Sequence, residues 1–168
     1  MPWPPYLSTC QPPARSLEQA LGALDAPADY EHPWLSPFDA AALASESALI
    51  LRDLEQYEEA LTQAEDAVRL REEGRARSLA LSRITLAGIH VLRRDLDAAV
   101  SVGHDLLSTS PTLGSIRVAH QLDDLRRLLE PHTGYRPVRE YLTRFDDARR
   151  ARMLLLADII TPRGGIPA

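Results

Sequence analysis

Apolar residues recur at intervals of three and four over most of the chain, and proline or glycine breaks the recurrence at a few places. That pattern predicts a succession of helices and no strand. Ser16 caps a short helix through Asp25, with Gln19 completing a capping box and Leu17, Ala20, Leu21 and Leu24 as its stripe. Ser36-Pro37 opens a long helix to about Leu54, with Ala40, Leu43, Ala44, Ser47, Ala48, Leu51 and Leu54 on one face. Tyr57 to Glu73 is its partner, ended by Gly74. A second pair spans Arg75 to Arg93 and Leu96 to Thr109, with Asp95 as N-cap and Pro111 as the stop. A further helix from Gly114 to Glu130 carries Ile116, Ala119, Leu122, Leu125 and Leu129 up to Pro131. The last, from Arg136 to Ile160, carries Val138, Leu142, Phe145, Met153 and Leu156. Residues 1–15 read as a proline-rich arm and 161–168 as a flexible tail.

Within this succession one unit occurs twice. Leu54-Glu55-Gln56-Tyr57-Glu58-Glu59-Ala60-Leu61 returns as Arg93-Arg94-Asp95-Leu96-Asp97-Ala98-Ala99-Val100, so that Ala60 and Ala99 lie 39 positions apart. Helix pairs repeating at such a period bury their apolar faces by stacking, which predicts an all-α, right-handed α-solenoid of helical hairpins. The helical domain is read as residues 16–160, with units at about 37–74, 75–111 and 113–160.

These positions resemble the tetratricopeptide repeat, a helical pair of about 34 residues with small residues at fixed places. With Ala60 and Ala99 at the twentieth position, Ala48 and Ala87 fall on the eighth, and Tyr57 and Leu96 on the large seventeenth. Ala67 matches the small twenty-seventh position, Leu106 departs from it, and Pro111 falls where a terminal proline is expected. The glycine usual at the turn is Glu55 in one unit and Arg94 in the other. The run Trp34-Leu35-Ser36-Pro37-Phe38-Asp39, the two repeated units, and the stretch from Arg117-Val118-Ala119 to Pro131-His132 resemble the C-terminal repeat region of Xre-type helix-turn-helix transcriptional regulators from GC-rich bacteria. The resemblance implies a regulatory or sensor module that binds a protein or peptide partner. The short stretch before Ser16 leaves no room for the DNA-binding domain of those regulators, so direct nucleic-acid binding is not expected.

Composition narrows the reading. The 168 residues are 45% hydrophobic but only 5% aromatic, which suits packed helices. The net charge of −5 argues against a nucleic-acid or anionic-membrane surface. All 19 cationic residues are arginine, as GC-rich codon usage produces. The lone Cys10 excludes an intrachain disulfide and a cysteine-rich metal site, which fits a reducing cytoplasmic setting. No apolar run approaches the roughly 18 residues of a membrane span.

Chemical motifs are sparse. His90 falls at a position where these repeats place a ring in the interface, so it reads as core. His104-Asp105 and the run from His120 to Asp123 place a carboxylate near an imidazole, the beginnings of an acid–base or metal site, but no ligand-spacing motif completes either. Phosphate-cradling glycine loops are absent, so no cofactor or metal is expected and catalysis is not. An enzyme using His104 or His120 is the least favoured alternative, and a small-molecule effector-binding protein is the intermediate one. Arg149, Arg150 and Arg152, before an apolar run at residues 153–156, point to pairing with Asp146 or Asp147, or to a homodimer through the last helix. A partner-binding groove is expected on the first helices of the repeats: Ser45, Leu49, Arg52 and Asp53, then Ile84, Gly88 and Val91, then His120, Asp124 and Arg127. Arg52 and Arg127 are the residues expected to hold a carboxylate or a backbone carbonyl, since the guanidinium fork suits both.

Overall fold

The computed structural model describes residues 39–71, 75–109 and 115–160, with side chains of the last stretch through Met153, together with Gln19 and Gly22 individually. Among these residues the protein is entirely helical. Six α-helices follow one another: α1 (Ala40–Asp53), α2 (Tyr57–Arg69), α3 (Ala76–Leu92), α4 (Leu96–Thr109), α5 (Ile116–Leu129) and α6 (Arg136–Ile160), with a 3-10 turn at Glu130–His132 before α6. The expected arm, the Ser16 helix, the Ser36-Pro37 start, Gly74, Pro111 and the tail lie outside the described residues. Contacts divide the chain into two compact units, 1–71 and 72–168.

The first unit is a hairpin of α1 and α2. Asp39 caps α1, its carboxylate accepting from the Ala42 amide at 2.8 Å. The buried positions of the pair are Ala41, Leu43, Ala44, Ser47 and Ala48 on α1 and Ala60, Ala64 and Ala67 on α2. Alanine at most of these lets two backbones come close, and Ala48 and Ala60 are wholly shielded from solvent. Two expectations shift here. Leu54 at the end of α1 is exposed, because it forms the C-cap turn, and α2 ends at Arg69 with Leu70 as its cap, short of Glu73.

The turn between α1 and α2 is a Schellman motif. The Gln56 amide donates to the Leu51 carbonyl at 2.9 Å and the Glu55 amide to the Arg52 carbonyl at 3.0 Å. Such a turn needs a left-handed residue, and Glu55 supplies it with φ of 60°. The turn between α3 and α4 repeats the device: Asp95 donates to the His90 carbonyl at 2.9 Å, Arg94 to the Val91 carbonyl at 3.0 Å, and Arg94 has φ of 66°. The missing glycines therefore changed the residue and not the turn. Side chains left-handed at this position cost about 1–2 kcal/mol each relative to glycine.

In the second unit α3 packs on both α4 and α5, and α4 packs also on α6. Asp95 caps α4 as expected, accepting from the Ala98 amide at 3.1 Å, and Ser115 caps α5. The core joins Ile84, Ala87 and Val91 of α3, Ala99, Val100 and Leu106 of α4, Val118, Leu122, Leu125 and Leu129 of α5, and Val138, Tyr141, Leu142 and Phe145 of α6. The buried stripe of α5 is set by Val118 rather than Ile116, which is 74% exposed. Met153, placed on the apolar stripe of α6, is 64% exposed, and Tyr141, which that stripe omitted, is fully buried. His90 is buried as expected, with Nδ1 3.8 Å from Asp95 Oδ2, so an imidazole and a carboxylate stand where the Schellman motif ordinarily has an apolar contact. Pro137 falls in the first turn of α6, where a missing amide hydrogen costs little. No helix among the described residues is long and apolar enough to cross a membrane.

Candidate functional site

The residues expected to form a groove meet three different fates. On α1, Ser45 Oγ donates to the Ala41 carbonyl at 2.9 Å and accepts from Arg71 Nη2 at 3.3 Å. Arg71 lies 26 positions away, and no local spacing signals that bond. Leu49 is half-buried. Arg52 holds its neighbour Asp53 through both Nε and Nη2, at 2.9 and 2.7 Å from Oδ1. The pair presents a guanidinium and a carboxylate side by side, already engaged with one another.

Ile84 and Val91, expected on a groove surface, are instead buried in the core of the second unit. The reason is the double packing of α3: a helix that contacts neighbours on two sides keeps little free face. Gly88, between them in sequence, is half-buried, with Leu128 Cδ2 3.8 Å from where a Cβ would stand.

His120, Asp124 and Arg127 share the outer face of α5, and all three are exposed. Arg127 Nη1 reaches Asp124 Oδ1 at 2.6 Å. His104 is half-buried on α4, its ring edge-on to Tyr141 with centroids 5.4 Å apart. Among the described residues no group of three or more His, Cys, Asp or Glu side chains is arranged to hold a metal.

The adjoining flank of α5 carries a different arrangement that the sequence did not signal. Arg126 Nε and Nη2 make a two-point contact with Asp146 of α6, at 2.9 and 3.2 Å, and its Nη1 also bonds Glu130. The Arg126 guanidinium holds the Asp146 carboxyl below the usual carboxylate range. One turn earlier Asp123 Oδ2 pairs with Arg149 Nη2 at 3.4 Å. Arg150 pairs with Asp147 at 2.5 Å, as expected, whereas Asp146 and Arg149 both reach across to α5.

Between these helices and α4 lies a cleft of about 200 Å³, with Leu107, Leu122 and Phe145 among its apolar lining and Asp123, Arg149 and Arg152 among its charged one. The first unit has a cleft of its own, about 240 Å³, lined by Leu43, Ala44, Ser47, Leu51, Gln63 and Leu70 among others. Compared with family models, curated proteins and solved structures, the chain matches none.

Proposed function

We propose that this chain is a non-catalytic repeat scaffold, a right-handed α-solenoid of tetratricopeptide-like hairpins that binds a peptide or protein partner in a regulatory role linked to transcription. The observation that carries the reading is the repetition of one hairpin device. Leu51-to-Gln56 and His90-to-Asp95 close with the same pair of backbone bonds, and in both hairpins the alanines at equivalent places, Ala48 with Ala60 and Ala87 with Ala99, are wholly buried. Helical repeats of this kind present helix faces to extended partners.

The candidates for such contacts are the half-buried Arg52 with the exposed Asp53 on α1, and the exposed His120, Asp124 and Arg127 on α5. Each arginine is steadied by an adjacent carboxylate, which limits the rotamer freedom lost when a partner's carboxylate or backbone carbonyl takes the remaining donors. The test is selection from a random peptide library on the immobilised full chain, followed by titration of the selected peptides against R52E and R127E. The reading expects a recurring motif whose affinity falls at least tenfold in one of the variants while the helical circular dichroism is kept. Absence of any enriched motif, or motifs indifferent to both substitutions, would overturn it.

A further inference from the structure

The cleft of the first unit opens between α1 and α2, with Leu43, Ser47 and Leu51 on one side and Gln63, Asp66 and Leu70 on the other. Its apolar character continues along α1. Ile50 follows Ser47 by three positions and Leu54 follows Leu51 by three, so both border the cleft, and they are 41% and 46% exposed. Leu70 is 42% exposed at the opposite end. Large apolar side chains left open along one groove mark a contact surface, whereas singly scattered ones do not. The volume of about 240 Å³ exceeds the roughly 150 Å³ that accommodates benzene in an apolar cavity, so a partner's leucine or phenylalanine side chain fits.

Charge narrows the choice of partner. Residues 1–71, counted in full, hold four arginines against twelve carboxylates, a formal charge of −8, whereas residues 72–168 hold fifteen against twelve, or +3. On the border of the cleft Glu59 stands four positions before Gln63 on α2 and is exposed, while Asp66 is engaged by Arg69 at 2.6 Å. Two occupants that the protein itself could supply match this charge poorly: residues 1–38 carry one arginine and four carboxylates, and a second copy brings a net charge of −5. From these observations we propose that the face formed by the cleft, Ile50 and Leu54 docks a cationic amphipathic segment of another protein. The apolar side chains of that segment enter the cleft and lie along Ile50 and Leu54, and a guanidinium or ammonium sits over Glu59. The acidic excess of the unit draws such a segment in and repels an anionic one of the same apolar pattern. Arg52 and Asp53 lie outside the lining, so this face is separate from the surfaces proposed above and does not depend on them.

The experiment is a fluorescence titration of the full chain with two labelled helical peptides that share a leucine face and carry either arginine or glutamate on the other. The arginine peptide is expected to bind saturably with a dissociation constant on the order of 10 μM, and the glutamate peptide not at all. E59R should weaken the arginine peptide about fivefold, and the double variant I50Q/L54Q about tenfold. E65R makes the same charge change on the far side of α2 and should weaken it by no more than about twofold. R52E and R127E should not weaken it, which separates this face from the surfaces proposed above. Ile50, Leu54, Glu59 and Glu65 are all exposed, so the helices should persist in these variants, as circular dichroism verifies. Failure of the arginine peptide to bind, equal binding of both peptides, equal weakening by E59R and E65R, or binding indifferent to I50Q/L54Q overturns the proposal. So does a dimer that I50Q/L54Q disperses while neither peptide binds, since the face would then belong to a second copy. A lowered melting temperature of that variant with neither peptide bound overturns it too, marking the face as covered within the chain.

Discussion

The ring of Tyr141 on α6 lies against the backbone of Gly103 on α4 so closely that a Cβ built on Gly103 would stand 2.7 Å from ring carbons Cε2 and Cζ. Glycine in a helix ordinarily costs about 1 kcal/mol relative to alanine. Here it makes room for the bulkiest fully buried side chain among the described residues.

G103A and G88A should therefore change stability in opposite directions. At Gly88 the nearest atom to a new Cβ is Leu128 Cδ2 at 3.8 Å, an ordinary contact, so alanine should stabilise by up to about 1 kcal/mol. At Gly103 overpacking against the ring should outweigh that gain and destabilise by about 1–2 kcal/mol. Urea denaturation of both variants checks the pair of signs.

Glycine at the two left-handed turn positions should stabilise. E55G and R94G remove the strain of a Cβ at φ of 60° and 66°, and neither side chain is buried. The expected gain is about 0.5–1 kcal/mol per site, less than the full strain because glycine also loosens the unfolded chain. Alanine at the same positions should give no such gain, which separates backbone relief from loss of a side chain.

The Tyr141 hydroxyl is buried and has no hydrogen-bond partner among the described residues. Burial pushes its ionisation well above the usual phenol value. A raised folded-state value means that stability is fully present below about pH 10, where an unfolded tyrosine titrates, and is lost as pH rises above it. Wild-type protein should lose stability progressively above pH 10 while Y141F does so less steeply, with near-equal stability at pH 7. Ultraviolet titration should show one of the five tyrosines ionising only on unfolding.

Asp146 behaves in the reverse sense. Its folded value is lowered, first by the hydrogen bond from Arg126, so the stability that it contributes is present above the unfolded value near 4 and is lost as pH falls through the folded one. With its side chain 38% exposed, solvent screening limits the contribution to about 0.5–1 kcal/mol. D146N should lose that amount at pH 7 and show a shallower decline below pH 4, as followed by thermal melts across the acid range.

Local spacing made much of this architecture legible. The three-and-four recurrence and Asp95 gave α3, α4 and α6 within a residue or two, and the repeated motif pointed to Ala48, Ala60, Ala87 and Ala99, all wholly buried. The pairs Arg52–Asp53 and Arg127–Asp124 are neighbours on their own helices, so the sequence placed each pair together even though it did not assign the bonds. What depended on neighbouring helices was hidden. The second contact surface of α3 buried Ile84 and Val91, and the approach of α6 to α4 selected Tyr141 for the core. Arg126–Asp146 and Asp123–Arg149 join helices across more than twenty positions or about that number, and no periodicity within one helix announces such a bond. The cleft is a product of those same long-range approaches, which is why its lining could not be assembled from motifs.

The packing of α4 on α6 also bears on the order in which the molecule assembles. α1 meets α2, and α3 meets α4, across turns of three residues, whereas α4 can meet α6 only after the whole of α5 and its following turn have been traversed. Short-range hairpins close early, and contacts between distant segments wait for the entropy of the intervening chain to be overcome. The seam where Tyr141 meets Gly103 should accordingly be unformed when the folding barrier is crossed. Substitutions there should steepen the rate of unfolding and leave the refolding rate nearly unchanged in stopped-flow experiments, making this seam a determinant of how long the native state of the second unit persists.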